Sequence, residues 1–134
     1  ITQNPILGDW QKGKNITYEG KKVLASKATF LTPDKKLVYI ADTAYFKGIE
    51  KFAKDADILI SEATYASDVS GRAEEYSHLT SADSAKIAKD AGAKHLILTH
   101  FSQRYQSVKP LEEDAKKIFP HVAMANDFDK FVIN

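Results

Sequence analysis

Two acidic residues and a histidine follow three short apolar runs in this sequence. Asp42, Glu62 and His100 each stand two residues beyond the end of such a run, and His78 precedes a stretch with helical spacing. Carboxylates and neutral imidazoles are ligands that Zn²⁺ accepts, and a carboxylate can bridge two ions. A bound metal lowers the pKa of water towards neutrality. These residue types therefore predict metal-assisted hydrolysis, with Glu62 and His78 available to move protons or to orient one another.

Each of these residues also has an ordinary structural role open to it. The two acids could serve only as turn, cap or salt-bridge residues, and His78 and His100 could be hydrogen-bonded parts of the scaffold. For the two other histidines, His95 and His121, the structural role is the one that we predict. Spacing alone therefore favours part of a hydrolase site without establishing it.

Apolar runs of strand length alternate with stretches of helical spacing, which predicts an α/β fold. The strands are expected at residues 37–40, 58–60 and 96–98, and the helices at 46–53, at 81–91 and after Pro110. Thr80 or Ser81 is suited to cap the second helix, and Gly92 to end it. The other expectations are a hairpin at 16–24, a turn at 32–36, strands at 122–124 and 131–133, a polar loop at 64–77 and irregular structure over the first dozen residues.

This pattern places the polar residues at one edge of the expected sheet. Sites in α/β folds form where strands end, because the loops there converge above a rigid scaffold. His78 stands at the end of the expected polar loop, from which it can reach the same space.

Composition narrows the class of protein. The 134 residues fit one domain, and 19 Lys and Arg against 18 Asp and Glu give a net charge of +1, which excludes a strongly basic chromatin-type binder. Cysteine is absent, so any metal must be held by His, Asp or Glu. No apolar run reaches the ~20 residues of a membrane span and no signal-peptide pattern opens the chain, so we expect a cytoplasmic protein without a membrane partner.

The chain begins at Ile1, and its single methionine is Met124. Because translation starts at methionine, we expect this N-terminus to result from processing, proteolysis or deliberate truncation.

Four short motifs carry a resemblance to a known family. Residues 98–105 (LTHFSQRY) resemble the Leu-Thr-His-Phe-Ser-x-Arg-Tyr motif of the ribonuclease Z family, the tRNA 3′-processing endonucleases of the metallo-β-lactamase superfamily. Residues 61–64 (SEAT) are similar to its His-Glu-Ala-Thr segment, 77–80 (SHLT) to its His-Ser-Thr, and 41–43 (ADT) to its Gly-Asp-Thr. The order is that of the family, and the likeness covers essentially the whole chain. The family's His-x-His-x-Asp-His cluster is absent from this sequence.

The resemblance implies that residues 1–134 are the C-terminal half of a metallo-β-lactamase-type αββα sandwich. It also implies a zinc-dependent endoribonuclease that removes 3′ trailers from precursor tRNA, forms a homodimer and holds two zinc ions per complete site. In that family Asp42 would bridge the ions, His100 would bind one, and Glu62 and His78 would transfer protons. The N-terminal half, in cis or as a separate chain, would supply the other ligands, so this fragment alone is expected to be inactive.

The same segment suggests where substrate phosphate would bind. Charge and proximity to His100 make Ser102 and Arg104 candidates for that contact.

Two other functions remain open. The chain could be a non-catalytic fragment or subunit that associates through its exposed sandwich face. It could also be another metallo-β-lactamase-type hydrolase, because Ala41, Ala44 and Tyr45 depart from the ribonuclease Z pattern.

Overall fold

The computed structural model describes residues 8–9, 12–28, 30 and 34–133, in two compact units that divide between Asp34 and Lys35. In the first unit, strands β1 (Ile16–Tyr18) and β2 (Lys21–Val23) pair antiparallel and are followed by helix α1 (Ala25–Ala28). The connecting residues Glu19 and Gly20 both have positive φ, 47° and 74°, as in the two-residue turns that match strand twist. The predicted hairpin is confirmed.

A four-stranded parallel sheet organises the second unit. Its strands lie in the order of the chain: β3 (Leu37–Ile40), β4 (Ile58–Glu62), β5 (His95–Thr99) and β6 (Val122–Met124). Four helices accompany them in the described residues: α2 (Ile49–Phe52), α3 (Ser70–Glu75), α4 (Ser81–Ala91) and α5 (Lys109–Lys116). A 3₁₀ turn at Ser67–Val69 precedes α3. The predicted α/β class is confirmed, and the parallel pairing brings the carboxyl ends of the strands to one edge.

One face of the sheet packs against the helices to form the core. Val38, Leu59 and Leu96 are side by side in the register, and all three are buried with Ile87 of α4 and Leu111 of α5. Full burial of a side chain of this size stabilises the fold by about 1.5–3 kcal/mol. The central strands β4 and β5 contain the apolar runs 58–60 and 96–98, as expected for strands that lie between neighbours in a covered sheet.

Helix α4 is delimited as the sequence predicts, and its cap is Thr80 rather than Ser81. Thr80 Oγ1 accepts a hydrogen bond from the Asp83 amide at 3.0 Å, and Asp83 Oδ2 accepts one from the Thr80 amide at 3.0 Å. This reciprocal pair is a capping box. Gly92 ends the helix in the left-handed conformation with φ 67°, which a side chain would disfavour.

Three expectations about local structure were wrong. The predicted polar loop at 64–77 contains the 3₁₀ turn and α3, since Ala73 buries one face of an otherwise polar helix. The helix expected at 46–53 is only α2, because Gly48 precedes it with φ 102° and breaks the helical path. Residues 131–133 form no strand, and no neighbouring strand in the described part of the chain pairs with them.

Two expectations concern residues that are mainly not described. The irregular first dozen residues and the start of the turn at 32–36 lie largely outside the described ranges. Among the helices that are described, none is long and apolar enough to cross a membrane.

Candidate metal and proton-transfer site

The parallel sheet brings Asp42, Glu62 and His100 together at its carboxyl edge. Glu62 is the last residue of β4, His100 follows β5 directly, and Asp42 is two residues beyond β3. His78 joins them from the segment between α3 and α4, with its Nδ1 3.0 Å from Glu62 Oε2. The structure therefore gathers all four residues that the sequence singled out for chemistry.

Glu62 is the buried centre of this group, with its side chain 1% exposed. Its Oε1 accepts the Thr43 amide at 2.8 Å, and its Oε2 accepts the Thr64 hydroxyl at 2.6 Å. His78 Nδ1 lies within 3.2 Å of both oxygens. A buried carboxylate is tolerated only when its oxygens are hydrogen-bonded, and three donors meet that need here.

His78 is held so that one nitrogen remains available. Because an ionised carboxylate only accepts hydrogen bonds, Nδ1 of His78 carries the proton that faces Glu62, and Nε2 points away from this contact. Ser77 turns the chain with φ 57°, and the His78 amide bonds the Ala73 carbonyl at 2.8 Å. The imidazole is thus oriented by both its side-chain partner and its backbone.

His100 occupies the strand end in a conformation that few non-glycine residues adopt, with φ 56°. Its Nδ1 lies 2.9 Å from Thr64 Oγ1 and 3.3 Å from Asp42 Oδ1. The His78 and His100 rings have centroids 5.3 Å apart. Such local strain persists where the surroundings hold it, and it is common at functional sites.

The residues present fit a zinc-type ion. Asp42, His78 and His100 each offer a ligand atom, and these atoms lie within 4.8 Å of one another. The carboxylate of Asp42 and the imidazole of His100 are hard and borderline donors that Zn²⁺ takes. His78 is therefore within reach of the metal ligands as well as of Glu62.

The candidate phosphate contacts lie in the segment after His100. The Ser102 amide donates to the Thr64 carbonyl at 3.1 Å, which ties this segment to the chain after β4. The Arg104 amide donates to Ser102 Oγ at 3.4 Å, and the Arg104 side chain is exposed. Ser102 is thus fixed next to the site, whereas the guanidinium of Arg104 projects into solvent beside the Tyr105 ring, 5.8 Å from its centroid.

Thr64 is the functional candidate that sequence reasoning missed. It entered only as the last letter of the SEAT motif, yet its hydroxyl contacts both Glu62 and His100. Buried hydroxyls also support the backbone here, because Ser84 Oγ donates to the Glu62 carbonyl at 2.6 Å and lies 2.9 Å from Ser61 Oγ. The signal in the sequence was a hydroxyl residue two positions after Glu62, just beyond an apolar run.

His95 and His121 lie away from this site. His95 begins β5, whereas His100 follows the other end of the same strand. The two rings contact each other edge to face, with centroids 6.0 Å apart, and His121 also lies 6.1 Å from the Phe119 ring. The structure does not bring either histidine to the carboxyl edge of the sheet.

This chain matches one protein-family profile, and the two curated relatives described below share the name Ribonuclease Z. The profile described as "Beta-lactamase superfamily domain" matches residues 16–101. Ribonuclease Z of Lactobacillus acidophilus is 41% identical over 97% of this chain and 43% of its own length. Ribonuclease Z of Anoxybacillus flavithermus is 37% identical over 99% of this chain and 44% of its own length. The chain spans less than half the length of these curated relatives.

Solved structures show the same likeness. The metallo-β-lactamase fold protein YhfI from Bacillus subtilis has a TM-score of 0.62 and 34% identity, over 66% of this chain and 36% of YhfI. The short form of human tRNase Z has a TM-score of 0.59 and 32% identity, over 75% of this chain and 34% of the human protein.

Proposed function

This chain belongs to the metallo-β-lactamase superfamily, and we propose that it is the C-terminal half of a zinc-dependent endoribonuclease that removes 3′ trailers from tRNA precursors. The observation that carries the proposal is the gathering of Asp42, Glu62, His78 and His100 at one edge of the sheet. Relatives named Ribonuclease Z, at 41% and 37% identity over nearly the whole chain, support the substrate. Their greater length supports the expectation that further sequence completes the domain.

Asp42 and His100 are the proposed metal ligands, with Asp42 as the bridge in a complete site of two ions. Zinc, when bound, would supply Lewis acidity and water that is acidic enough to act as a nucleophile. The two side chains are neighbours, with His100 Nδ1 3.3 Å from Asp42 Oδ1, and both are partly open to solvent. That exposure leaves room for the ligands that the rest of the domain would contribute.

Glu62 and His78 are the proposed proton-transfer pair. Glu62 keeps a proton on Nδ1 of His78, so His78 presents Nε2 to the substrate. When Nε2 is also protonated, His78 can donate that proton to the oxygen that leaves as the P–O bond breaks.

Ser102 and Arg104 are the proposed contacts to the substrate phosphates, since one is fixed beside the site and the other offers an exposed guanidinium.

Two observations favour alternatives. YhfI, which resembles this chain as strongly as tRNase Z does, is described only as a metallo-β-lactamase fold protein, so the substrate could be another phosphodiester or ester. Leu37 and Tyr39 on β3 are 54% and 59% exposed, an uncovered apolar strip of the kind through which a fragment, subunit or homodimer associates. A cytoplasmic location stays a prediction.

The direct test is cleavage of a tRNA precursor by the full-length protein that contains this chain. We expect His78→Ala and His100→Ala each to slow cleavage by about 10²-fold or more. A general acid typically contributes about 10²–10⁴-fold, and loss of a metal ligand should cost at least as much as loss of its hydrogen-bond partner, about 10–100-fold. His121→Ala, which removes a histidine outside the site, should cleave at the rate of the unaltered protein. Unchanged rates for His78→Ala or His100→Ala would refute the role proposed for that residue.

A separate experiment tests the proposal that residues 1–134 are only the C-terminal half of the catalytic domain. Residues 1–134 alone should not cleave the precursor, and adding the remaining part of the domain as a separate chain should restore cleavage. Full activity of the 134-residue chain by itself would contradict the proposal. Cleavage of a simple phosphodiester but not of precursor tRNA by the full-length protein would favour the alternative hydrolase.

A further inference from the structure

Thr64 contacts both functional pairs of the site, which are the proposed metal ligands Asp42 and His100 and the proposed proton-transfer residues Glu62 and His78. Its Oγ1 lies 2.6 Å from Glu62 Oε2, 2.9 Å from His100 Nδ1 and 3.2 Å from the His100 carbonyl oxygen. The residue is 6% exposed, so water has little access to compete for these contacts. A single hydroxyl thus contacts a proposed proton-transfer residue and a proposed metal ligand.

Counting protons fixes the direction of these bonds. The hydroxyl has one hydrogen, and two of its three partners, the carboxylate of Glu62 and the carbonyl of His100, can only accept. The hydrogen therefore goes to an oxygen, with the 2.6 Å contact to Glu62 as the shortest. Towards Nδ1 of His100 the hydroxyl can then only accept, so Nδ1 carries a hydrogen and Nε2 has the free lone pair.

We propose that Thr64 is a positioning residue that holds His100 in the Nδ1–H tautomer and so makes Nε2 its metal-binding nitrogen. Asp42 Oδ1 also faces Nδ1, at 3.3 Å, but Asp42 is itself a proposed metal ligand. If Asp42 held a metal, Thr64 would be the acceptor left for Nδ1. Partners of this kind fix which ring nitrogen of a histidine ligand is free for the metal.

The same hydroxyl connects the two functional pairs. Because Thr64 donates to Glu62 Oε2, which also lies 3.0 Å from His78 Nδ1, it links His100 to the Glu62–His78 pair through hydrogen bonds alone. The tautomer assignment stands on the distances and needs no substrate. Only the claim that Nε2 binds a metal rests on the proposed function.

Nitrogen-15 NMR of the metal-free 134-residue chain tests the tautomer directly, since the chain has four histidines whose ring signals can be assigned. We expect the Nδ1–H form of His100 in the unaltered chain and in Thr64→Ser, which keeps the hydroxyl. Because Asp42 Oδ1 is a second acceptor for Nδ1 in the metal-free chain, the deletion is made in the Asp42→Ala background. There Thr64→Val, which has the same shape without a hydroxyl, should populate the Nε2–H form. An Nε2–H His100 in the unaltered chain would overturn the proposal even if the valine variant failed to fold. An unchanged tautomer in a folded Asp42→Ala/Thr64→Val variant would overturn it too.

Zinc affinity and kinetics of the full-length protein provide the second readout. Loss of a hydrogen-bond partner to a metal-binding histidine weakens binding by about 10–100-fold, so we expect that loss in Thr64→Val and recovery in Thr64→Ser. At saturating zinc, kcat should fall while KM stays the same, because Thr64 is buried and would act only through Glu62 and His100. Equal zinc affinity in all three proteins would overturn the metal-binding part. Absence of tRNA cleavage by the unaltered protein would refute the proposed function but would leave the tautomer and the affinities as predicted.

Discussion

At the scale of single residues, the site depends on a buried carboxylate whose two oxygens both accept hydrogen bonds. Glu62 accepts hydrogen bonds from Thr43 and Thr64 and contacts His78, with almost no exposure to solvent. An acid at a strand end is easily recognised in the sequence. What the sequence does not reveal is that the partners converge from three separate segments of the chain.

Glu62→Gln tests this arrangement. An amide offers one acceptor oxygen and places an NH₂ group where a carboxylate oxygen met donors, so at least one donor loses its partner. We expect a loss of about 1–3 kcal/mol in the free energy of unfolding, measured with urea. Cleavage by the full-length protein should fall about 10²-fold or more, because His78 is no longer held with its proton on Nδ1.

Glu74→Gln is the matched control for that change. Glu74 is exposed and, among the described residues, its side chain makes no ion pair or hydrogen bond. Its substitution should leave stability within about 0.5 kcal/mol and the cleavage rate unchanged. Equal behaviour of the two variants would show that Glu62 is an ordinary structural acid.

At this scale the sequence indicated which charged and imidazole side chains lie together, while their roles stay predictions. The proximity of Asp42, Glu62 and His100 could be predicted because each follows an apolar run of strand length, and parallel strands end at one edge of a sheet. Thr64 was missed, because hydroxyl residues are frequent near strand ends and only the folded geometry shows which acceptors one of them contacts.

At the scale of elements, a second acid ties the amino ends of the strands together. Asp57 precedes β4, where its Oδ2 accepts the Lys36 amide at 2.8 Å and its Oδ1 accepts the Lys94 ammonium at 2.7 Å. The hydrogen bond from the Lys94 side chain, followed by that from the Lys36 amide, lowers the pKa of Asp57 below its ordinary value of 3.8. The ionised carboxylate is therefore the form that the fold favours.

This shift predicts a dependence of stability on pH. Because the pKa in the folded state is lower than in the unfolded state, the contribution of Asp57 is fully present above the unfolded pKa of about 3.8 and is lost as pH falls through the folded pKa. Thermal unfolding of the unaltered chain and of Asp57→Asn should differ most near neutral pH and converge in acid. A difference in Tm that stays constant down to about pH 2 would contradict this account.

The capping box of α4 gives a second prediction at this scale. Thr80→Ala removes the hydroxyl that accepts the Asp83 amide, and loss of such a cap typically destabilises a protein by about 1 kcal/mol. The measurement is urea unfolding. Thr17→Ala, at an exposed position of β1, should change stability by less than about 0.5 kcal/mol, and equal losses in both variants would show that the cap contributes nothing.

The sequence predicted elements well where the pattern was strong and contiguous. Strands β3, β4 and β5 are apolar runs with a clear boundary, and α4 has both its start and its stop signal. The helix α3 was missed because Ala73 is its only buried residue, which leaves no apolar periodicity to detect. Residues 131–133 have strand composition, but pairing depends on a neighbouring strand, which local composition does not encode.

At the scale of the whole molecule, the two faces of the sheet differ. Val38 and Ile40 of β3 face the helices and are buried, whereas Leu37 and Tyr39 alternate with them and are more than half exposed. A strand with apolar residues on both sides is typical of a sheet that is covered on both faces. We therefore expect this side of β3 to meet another layer of protein.

Association of the isolated chain tests that expectation. By analytical ultracentrifugation, the 134-residue chain should self-associate at micromolar concentrations, and a Leu37→Ser/Tyr39→Ser double variant should sediment as a monomer. The control is Phe52→Ser, which removes an exposed aromatic ring on α2 rather than on the sheet. A monomeric unaltered chain, or association that the double variant leaves unchanged, would contradict the role of this face.

The central claim is that the carboxyl edge of the sheet holds a metal through Asp42 and His100. The most direct test is the zinc content and zinc affinity of the full-length protein, compared with Asp42→Asn, His100→Ala and the control His121→Ala. We predict that the first two variants retain less zinc and bind it at least about 10-fold more weakly, while His121→Ala matches the unaltered protein. Equal zinc content and affinity in all four proteins would contradict the account.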